Sequence, residues 1–412
     1  MEMIYQRCAA LDVHKKTITA CVRTPDGAGG RCEQVRRFET FLDALEALRD
    51  WLLAEQVTIV ALESTGSYWK APWQVLEDAG LDLVLVNARH VKHVPGRKTD
   101  VKDAQWLAEL LEAGLLARSF VPPTWQRQLR DLTRYRKRLI QDRTRETQRV
   151  DKTLEDAAIK LGAVASSTLS KSGRAMIEAL IAGERDPETL AELAKGRMRA
   201  KIPQLVRALN GTRFSDHHAV VLRGHLDHID ELDAHIDLLD QQIDRVLAPH
   251  AEVRDRLCTI TGVDRRVAEV LIAEIGVDMS VFPTSAHLAS WAAQCPGNHE
   301  SAGKHYSGRT RKGNGWLTDA LTQAAWAAAR SKDTYLAAQF ARIARRRGAK
   351  KAARAVAHSI LVIAYHLIER GTSYDDLGGD FFARRLDTDR RTANLVRQLE
   401  ALGHKVNLEP AS

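Results

Sequence analysis

Apolar positions near the start of the chain come in short runs of the kind that alternate or stay buried in a sheet. RCAALDV (7–13) and TITACVRT (17–24) read as strands, and a turn at Pro25-Asp26-Gly27 with the pair Gly29-Gly30 leads to a third strand near 31–39. The period then lengthens. Phe41, Leu42, Leu45, Leu48 and Leu52 recur at helical spacing. VTIVALE (57–63) has the look of a buried strand and is followed by a helix over 68–79, a strand LDLVLVN at 81–87 and a helix from about Asp100 to Ala113. Beyond 125 the strand signals vanish.

Three strands, a helix, then alternating strand and helix is the order of a ribonuclease-H-like α/β sheet. The remainder predicts helices. Residues 127–149 carry nine Lys or Arg against three acids on a long helical pattern. Over 222–247, Leu222, Ile229, Ile236 and Ile243 stand seven apart, with Leu232, Leu239 and Val246 as the second series. That seam suits a dimer contact and an intrachain helical hairpin equally. LCTITGVDRRVAEVLIAEIG opens a third, mostly helical region with the outline of a helix-hairpin-helix, whose turn can offer backbone N–H groups to a phosphate, or of an ordinary helical hairpin. The expected organisation is α/β plus α: a catalytic domain over 1–120, a helical coiled-coil linker over 121–250, a helical domain over 251–375 and a charged tail over 376–412.

The 412 residues suffice for two or three domains, and the net charge of +8 favours a polyanionic partner such as nucleic acid. Cys8, Cys21, Cys32, Cys258 and Cys295 form no C-x-x-C pair and read as reduced cysteines. With no apolar leader and no uninterrupted apolar stretch of membrane-spanning length, the expectation is a cytoplasmic protein with no membrane partner.

Two constellations carry chemistry. Asp12 ends the first strand, Glu63 the fourth, and Asp100 and Asp103 open the helix that closes the sheet. The fold would bring these four acids together. Clustered carboxylates repel unless a hard cation neutralises them, and oxygen donors suit Mg²⁺ or Mn²⁺. Two such ions roughly 4 Å apart can serve phosphoryl transfer. Taken singly, each acid reads as easily as a polar strand end or a helix cap. The second constellation is QCPGNHESAGKHYSGRTRKGNGWL (294–317), a small, basic, glycine-rich loop with Lys304, Arg309, Arg311 and Lys312. Ser301 lies open between Glu300 and Ala302-Gly303. A serine needs a base or a metal to act as a nucleophile, and His299 and His305 are near. On chemistry alone Ser307 is an equal candidate, and the loop reads equally as solvated surface. Arg342, Arg345, Arg346, Arg347, Lys350, Lys351 and Arg354 form a basic run on a helix that could contact phosphates.

Together these stretches resemble one family, the DEDD transposases of the insertion-sequence one-ten group. The resemblance rests on ALDVHK around Asp12, ALESTGSYW around Glu63, RHVKHVPGRKTDVKDAQWLAELL around Asp100 and Asp103, and then LIAEIG, LASWAAQCPG and ESAGK…SGRTRKGNGWLTDAL. It implies a RuvC-like N-terminal domain whose four acids hold divalent metal, and a C-terminal transposase domain whose serine, by position Ser301, forms a covalent phosphoserine link with DNA. Members commonly show Ser-Gly where this chain has Ser301-Ala302-Gly303. The resemblance further implies a structured bridge RNA as guide, and dimers that pair into tetramers, with one subunit's acids meeting another's serine. A nucleoid-associated site of action follows from it.

The rival readings differ in the chemistry they require. A RuvC-like junction nuclease would use the acids with water and leave Ser301 dispensable. A non-catalytic nucleic-acid-binding protein would have no use for the intact set of acids. A serine hydrolase of small esters would show a G-x-S-x-G elbow, which is absent.

Overall fold

The computed structural model describes residues 3–408 except 28–29, 64–65, 88–99, 211–212, 298, 302, 308–309 and 385–387. The chain divides into two compact units, Met1–Pro122 and Pro123–Ser412.

Unit 1 is built on one mixed five-stranded sheet in the order β3-β2-β1-β4-β5, from β1 (Cys8–Val13), β2 (Thr17–Pro25), β3 (Arg31–Glu39), β4 (Ile59–Glu63) and β5 (Asp82–Val86). β1 pairs antiparallel with β2 and parallel with β4, so it is the central strand and every one of its residues is buried. The two faces of the sheet sort by parity, as the two-residue period of a strand requires. Ala9, Leu11 and Val13 of β1 and Val60 and Leu62 of β4 face α1 (Leu42–Ala54) and α2 (Lys70–Asp78), packing on Leu45, Leu48, Trp51, Trp73 and Leu76. Cys8 and Ala10, with Ile59 and Ala61, face α3 (Asp100–Glu112) and pack on Ala104, Leu107, Ala108 and Leu111. Each such leucine contributes about 1.5–3 kcal/mol by leaving water. The far end of α3 is fastened to the sheet by a buried carboxylate. Glu112 accepts from Arg23 Nε at 2.8 Å and pairs with Arg31 Nε at 2.5 Å. Burial alone would lower the Arg23 pKa, but Glu112, Glu33 and Glu109 outweigh it and hold the guanidinium charge more firmly than usual.

Unit 2 is organised around α4 (Thr124–Asp156), a single helix of 33 residues. The heptad seam on α5 (Asp216–Leu247) packs against it within the same chain. Leu232, Ile236 and Leu239 meet Leu139 and Ile140, while Leu222, Leu226 and Ile229 share a core with Val150 and Leu154. Partner numbers run in opposite senses, as in Arg136 with Asp240, Arg143 with Asp233 and Glu146 with His225, so the pair is an antiparallel hairpin. Of the two uses open to the seam, the intrachain one is realised. Short helices over 161–209 complete this core, with Met176, Ile177, Leu180 and Leu205 fully buried.

The third sequence region continues unit 2 with α6 (Ala251–Cys258), α7 (Arg265–Ile275), α8 (Ser285–Trp291), a two-stranded hairpin of β6 (His299–Ser301) and β7 (Lys304–Ser307), α9 (Gly315–Ala328), α10 (Tyr335–Arg347), α11 (Ala349–Arg370) and α12 (Thr388–Ala401). The turn between α6 and α7 has a packing reason for its glycine: at Gly262 (φ +87°) a Cβ would collide with the Ala324 carbonyl and the Ala328 amide of α9. α11 is long and apolar enough to cross a membrane, alone in this among the described residues, but it packs as a core helix. Val356, Ile360 and Leu361 are fully buried, and the Tyr365 hydroxyl donates to the Phe282 carbonyl at 3.0 Å.

One expectation needs correction here. The basic run 342–354 is not on one helix, because Gly348 (φ +82°) separates α10 from α11. Residues 374–384, where the expected charged tail begins, are fastened to the helices. The Asp376 carboxylate accepts from the Tyr335 and Gly378 amides, Thr261 Oγ1 and the Tyr374 hydroxyl, and Phe382 stacks on Tyr335 at 5.2 Å.

Candidate active site

The acids of unit 1 are positioned by strand register. Leu11 lies opposite Leu62 on the parallel pair β1–β4, which sets Asp12 and Glu63 one step further along both strands. By parity both share the face of Cys8, Ala10, Ile59 and Ala61, the face that α3 covers. Neighbouring strands run about 4.8 Å apart, so two carboxylates in this register are close neighbours. Asp12 is buried at 9 % exposure, and its Oδ2 lies 3.1 Å from His14 Nε2. His14 was not among the residues expected to matter; its position two places past Asp12 was the available signal. α3 begins at Asp100, and in sequence Asp100 and Asp103 stand one turn before Ala104 and Leu107, which pack on the sheet. Asp103 is exposed. The Asp100 side chain lies outside the described residues. Among the described residues no three His, Cys, Asp or Glu side chains already converge as a metal site. The structure thus brings Asp12 and Glu63 together on one face and places the first turn of α3 on that face.

The serine segment departs from expectation in its secondary structure. Instead of an open loop, its backbone forms the antiparallel hairpin β6–β7, with Ser301 paired to Lys304 and an irregularity at His299–Glu300. Gly303 takes φ +75°, a conformation glycine adopts without the strain other residues meet. The side chains of His299, Ser301, His305 and Ser307 lie outside the described residues, as does Arg309 altogether.

A two-stranded hairpin is marginal by itself, and this one is held where the chain enters and leaves it. On the entry side, Gln294 Nε2 donates to Thr318 Oγ1 at 3.0 Å, and Arg354 Nη2 donates to the Ala293 carbonyl at 2.9 Å. On the exit side, Gly313 sits so close to Ala292 and Ala293 that a Cβ would collide with the Ala292 carbonyl. Asn314 then does two things. Its Oδ1 caps α9 by accepting from the Trp316 and Leu317 amides, and its Nδ2 donates to Glu274 Oε2 at 2.5 Å. Glu274 is fully buried on α7 and accepts both arms of the Arg134 guanidinium at 2.8 Å, while Arg130 donates to the Ala273 and Glu274 carbonyls. Burial pushes the Arg130 pKa down to about 10 despite Glu274 beside it. None of Glu274, Asn314 and Arg134 was singled out from the sequence.

The expected phosphate contacts divide. Lys304, Lys312, Arg345, Arg346 and Arg347 are exposed, and the three arginines form no ion pair among the described residues. They also occupy the last turn of α10, where cations complement the helix dipole. Arg311 is exposed and donates to the Ser290 carbonyl and hydroxyl. Arg342 lies over the Phe382 ring at 4.2 Å. Arg354 turns inward to Ala293, and burial lowers its pKa, so it is a structural residue rather than a surface cation.

A sheet with two acids at neighbouring strand ends, and a separate helical unit with exposed cations in its hairpin segment, fit a protein that acts on nucleic acid. Two family models match the chain: a DEDD-type model described as Transposase over residues 9–159, and one described as Transposase IS116/IS110/IS902 family over residues 254–341. Together they cover more than half of it, and the chain belongs to the IS110 family of transposases. No protein of curated function matches it. Membership makes it an enzyme of DNA transposition with DNA as a partner, and DEDD transposase domains depend on divalent metal ions.

Proposed function

We propose that this transposase cuts and rejoins element and target DNA by transesterification, with Ser301 as nucleophile and Asp12, Glu63, Asp100 and Asp103 as the ligands of Mg²⁺ or Mn²⁺. The observation that carries the reading is the register that sets Asp12 beside Glu63 on the face where α3 begins. On this reading unit 1 is a RuvC-like ribonuclease-H fold. The donor set fits the metal: carboxylate oxygens are hard ligands, and a pair at strand-neighbour distance is relieved by a hard cation. When bound, that cation supplies charge neutralisation at the scissile phosphate.

The chain's own residues do the rest. Ser301 Oγ forms a bond to phosphorus as the bond from phosphorus to one deoxyribose oxygen breaks. The serine proton passes to a base, for which His299 and His305 are the nearest in sequence, and the departing oxygen gains a proton. Attack by a DNA hydroxyl on the phosphoserine then releases the serine and restores a phosphodiester. One ester replaces another at each step, so no nucleotide triphosphate is consumed. Lys304, Arg309, Arg311, Lys312, Arg345, Arg346 and Arg347 hold the backbone. The family resemblance supports a structured guide RNA and a homodimer that pairs into a tetramer.

The test is a trapping assay with the full chain, its RNA, Mg²⁺ and labelled junction DNA on a denaturing gel. A protein–DNA adduct abolished by both Ser301→Ala and Asp12→Ala is the expected result. Cleavage without adduct that survives Ser301→Ala but not Asp12→Ala overturns the serine step and favours a metal-dependent junction nuclease.

A further inference from the structure

A cavity of about 260 Å³ opens within unit 2 between α4, α7 and α9. Its walls differ in chemistry. On α4, Arg134, Lys137 and Ile140 follow at helical spacing, and on α9, Trp316, Asp319 and Gln323 do the same. The deeper charges are already matched. Arg134 is bound to Glu274, and the buried Arg136 pairs with Glu269 and Asp240 at 2.6 and 2.5 Å. The side chains of Lys137, Asp319 and Gln323, which also line the cavity, take part in no hydrogen bond or ion pair among the described residues. The half-buried Trp316 ring faces the guanidinium groups of Arg134 and Arg138 at 5.8 and 5.7 Å.

An aromatic wall with apolar Val267, Val270 and Ala320 around it, cations along one rim and an acceptor on the other is the chemistry of a nucleotide. The volume is below the roughly 300–1,000 Å³ of pockets for drug-sized ligands, so it suits one ring system. We propose that this cavity takes a single unstacked nucleotide of a DNA strand. The base stacks on Trp316, the phosphate lies toward Lys137 and Arg138 on α4, and Asp319 meets the base edge. Asp319 repels phosphate, which sets the polarity of the strand across the cavity. A carboxylate only accepts, so it selects a base that carries an exocyclic amine, as cytosine does. Because α9 starts at Gly315, directly after the hairpin segment, the cavity lies in sequence and in space beside the residues that fix the exit of that hairpin. The proposal deepens the strand-transfer reading and rests on it for the identity of the polymer.

The test is photo-crosslinking of the full-length Ser301→Ala protein, in chelator, to single-stranded DNA containing 5-iodocytosine, with mass-spectrometric mapping and fluorescence anisotropy alongside. A crosslink at Trp316 is expected. Trp316→Ala should abolish it and weaken binding roughly tenfold, the loss of one stacked base. Trp316→Phe should retain most of both, which separates stacking from misfolding, and Lys137→Ala should weaken binding and flatten its salt dependence. A crosslink mapped elsewhere with Trp316→Ala binding unchanged overturns the proposal, and so does a crosslink formed by the matching RNA but not by DNA. The serine adduct of the wild-type protein is a separate readout. The cavity can fail with that adduct intact, and the adduct can fail with the Trp316 crosslink still formed.

Discussion

In unit 1 two of the candidate acids, Asp12 and Glu63, stand at strand ends whose positions follow from ladder hydrogen bonds and from a core on both sheet faces. In unit 2 the candidate serine stands on a hairpin of three and four residues whose ends are held by side chains from elsewhere in the chain. Both units use a buried carboxylate between two arginines as a fastener, Glu112 for α3 and Glu274 for the exit of the hairpin. The difference is what each fastener has to do. α3 already packs on the sheet through Ala104, Leu107, Ala108 and Leu111, so Glu112 adds to an existing interface. For the hairpin, whose own side chains lie outside the described residues, the fastening on view at its exit is the Glu274–Asn314–Arg134 set and the close approach of Gly313. Residues remote from the chemistry should therefore matter more in unit 2.

The largest expected effect is on chemistry, and it is common to both units. Asp12→Ala and Ser301→Ala should each reduce adduct formation by roughly 10³-fold or more, and the double variant should fall little further if the two act as one device. Additive losses in an adduct-rate comparison would separate the two sites. Next comes Glu274→Ala, which removes a fully buried carboxylate and leaves the largely buried Arg130 guanidinium without its counter-charge, and should cost about 3–5 kcal/mol in chemical denaturation of unit 2. It should also reduce adduct formation beyond what the unfolded fraction explains. Glu112→Ala should cost a similar amount in unit 1, but its adduct loss should track the folded fraction. Equal behaviour of the two variants would break the comparison.

A smaller effect is expected from Gly313→Ala, where the added Cβ meets the Ala292 carbonyl. About 1–3 kcal/mol of destabilisation should appear in thermal melts. The double variant Glu274→Gln with Asn314→Asp exchanges donor and acceptor and should recover adduct formation lost in Asn314→Asp alone. The smallest effect is on pH dependence. Burial alone would raise the Asp376 pKa, but its four hydrogen bonds outweigh that and depress it. Stability from a depressed carboxylate is present above its unfolded pKa of about 3.9 and is lost as pH falls from there toward the folded value. The stability gap between wild type and Asp376→Asn in urea should therefore be open at neutral pH and narrow below about pH 4.

What could be read from the chain alone follows from where the information lies. The strands of unit 1 announce themselves because a buried strand needs a dense apolar run, as in CAALDV and IVALE, and α1 shows its spacing over Leu45, Leu48 and Leu52. β6 and β7 did not, because HES and KHYS are short and polar and are set by register with each other. The seam on α5 was visible as a heptad, while its partner was not, since α4 carries its apolar residues among many arginines. The helix break at Gly348 was hidden by basic residues on both sides of it. Glu274, Asn314 and Asp376 were invisible for a different reason. Their partners lie far off in sequence, as Thr261 lies from Asp376, and no local pattern marks a polar residue that only tertiary folding satisfies. Asp12 and Glu63 were legible as acids at strand ends, whereas His14 at the Asp12 carboxylate was not.

The serine mechanism is tested most directly by the identity of the residue joined to DNA. Wild-type protein would be trapped with its RNA, Mg²⁺ and junction DNA, digested with nuclease and protease, and the peptides over 294–312 sequenced by mass spectrometry. A nucleotide remnant on Ser301, absent when Asp12→Ala protein is used, is the predicted result. A remnant on Ser307 or on any other residue, or efficient cleavage with no remnant at all, contradicts it.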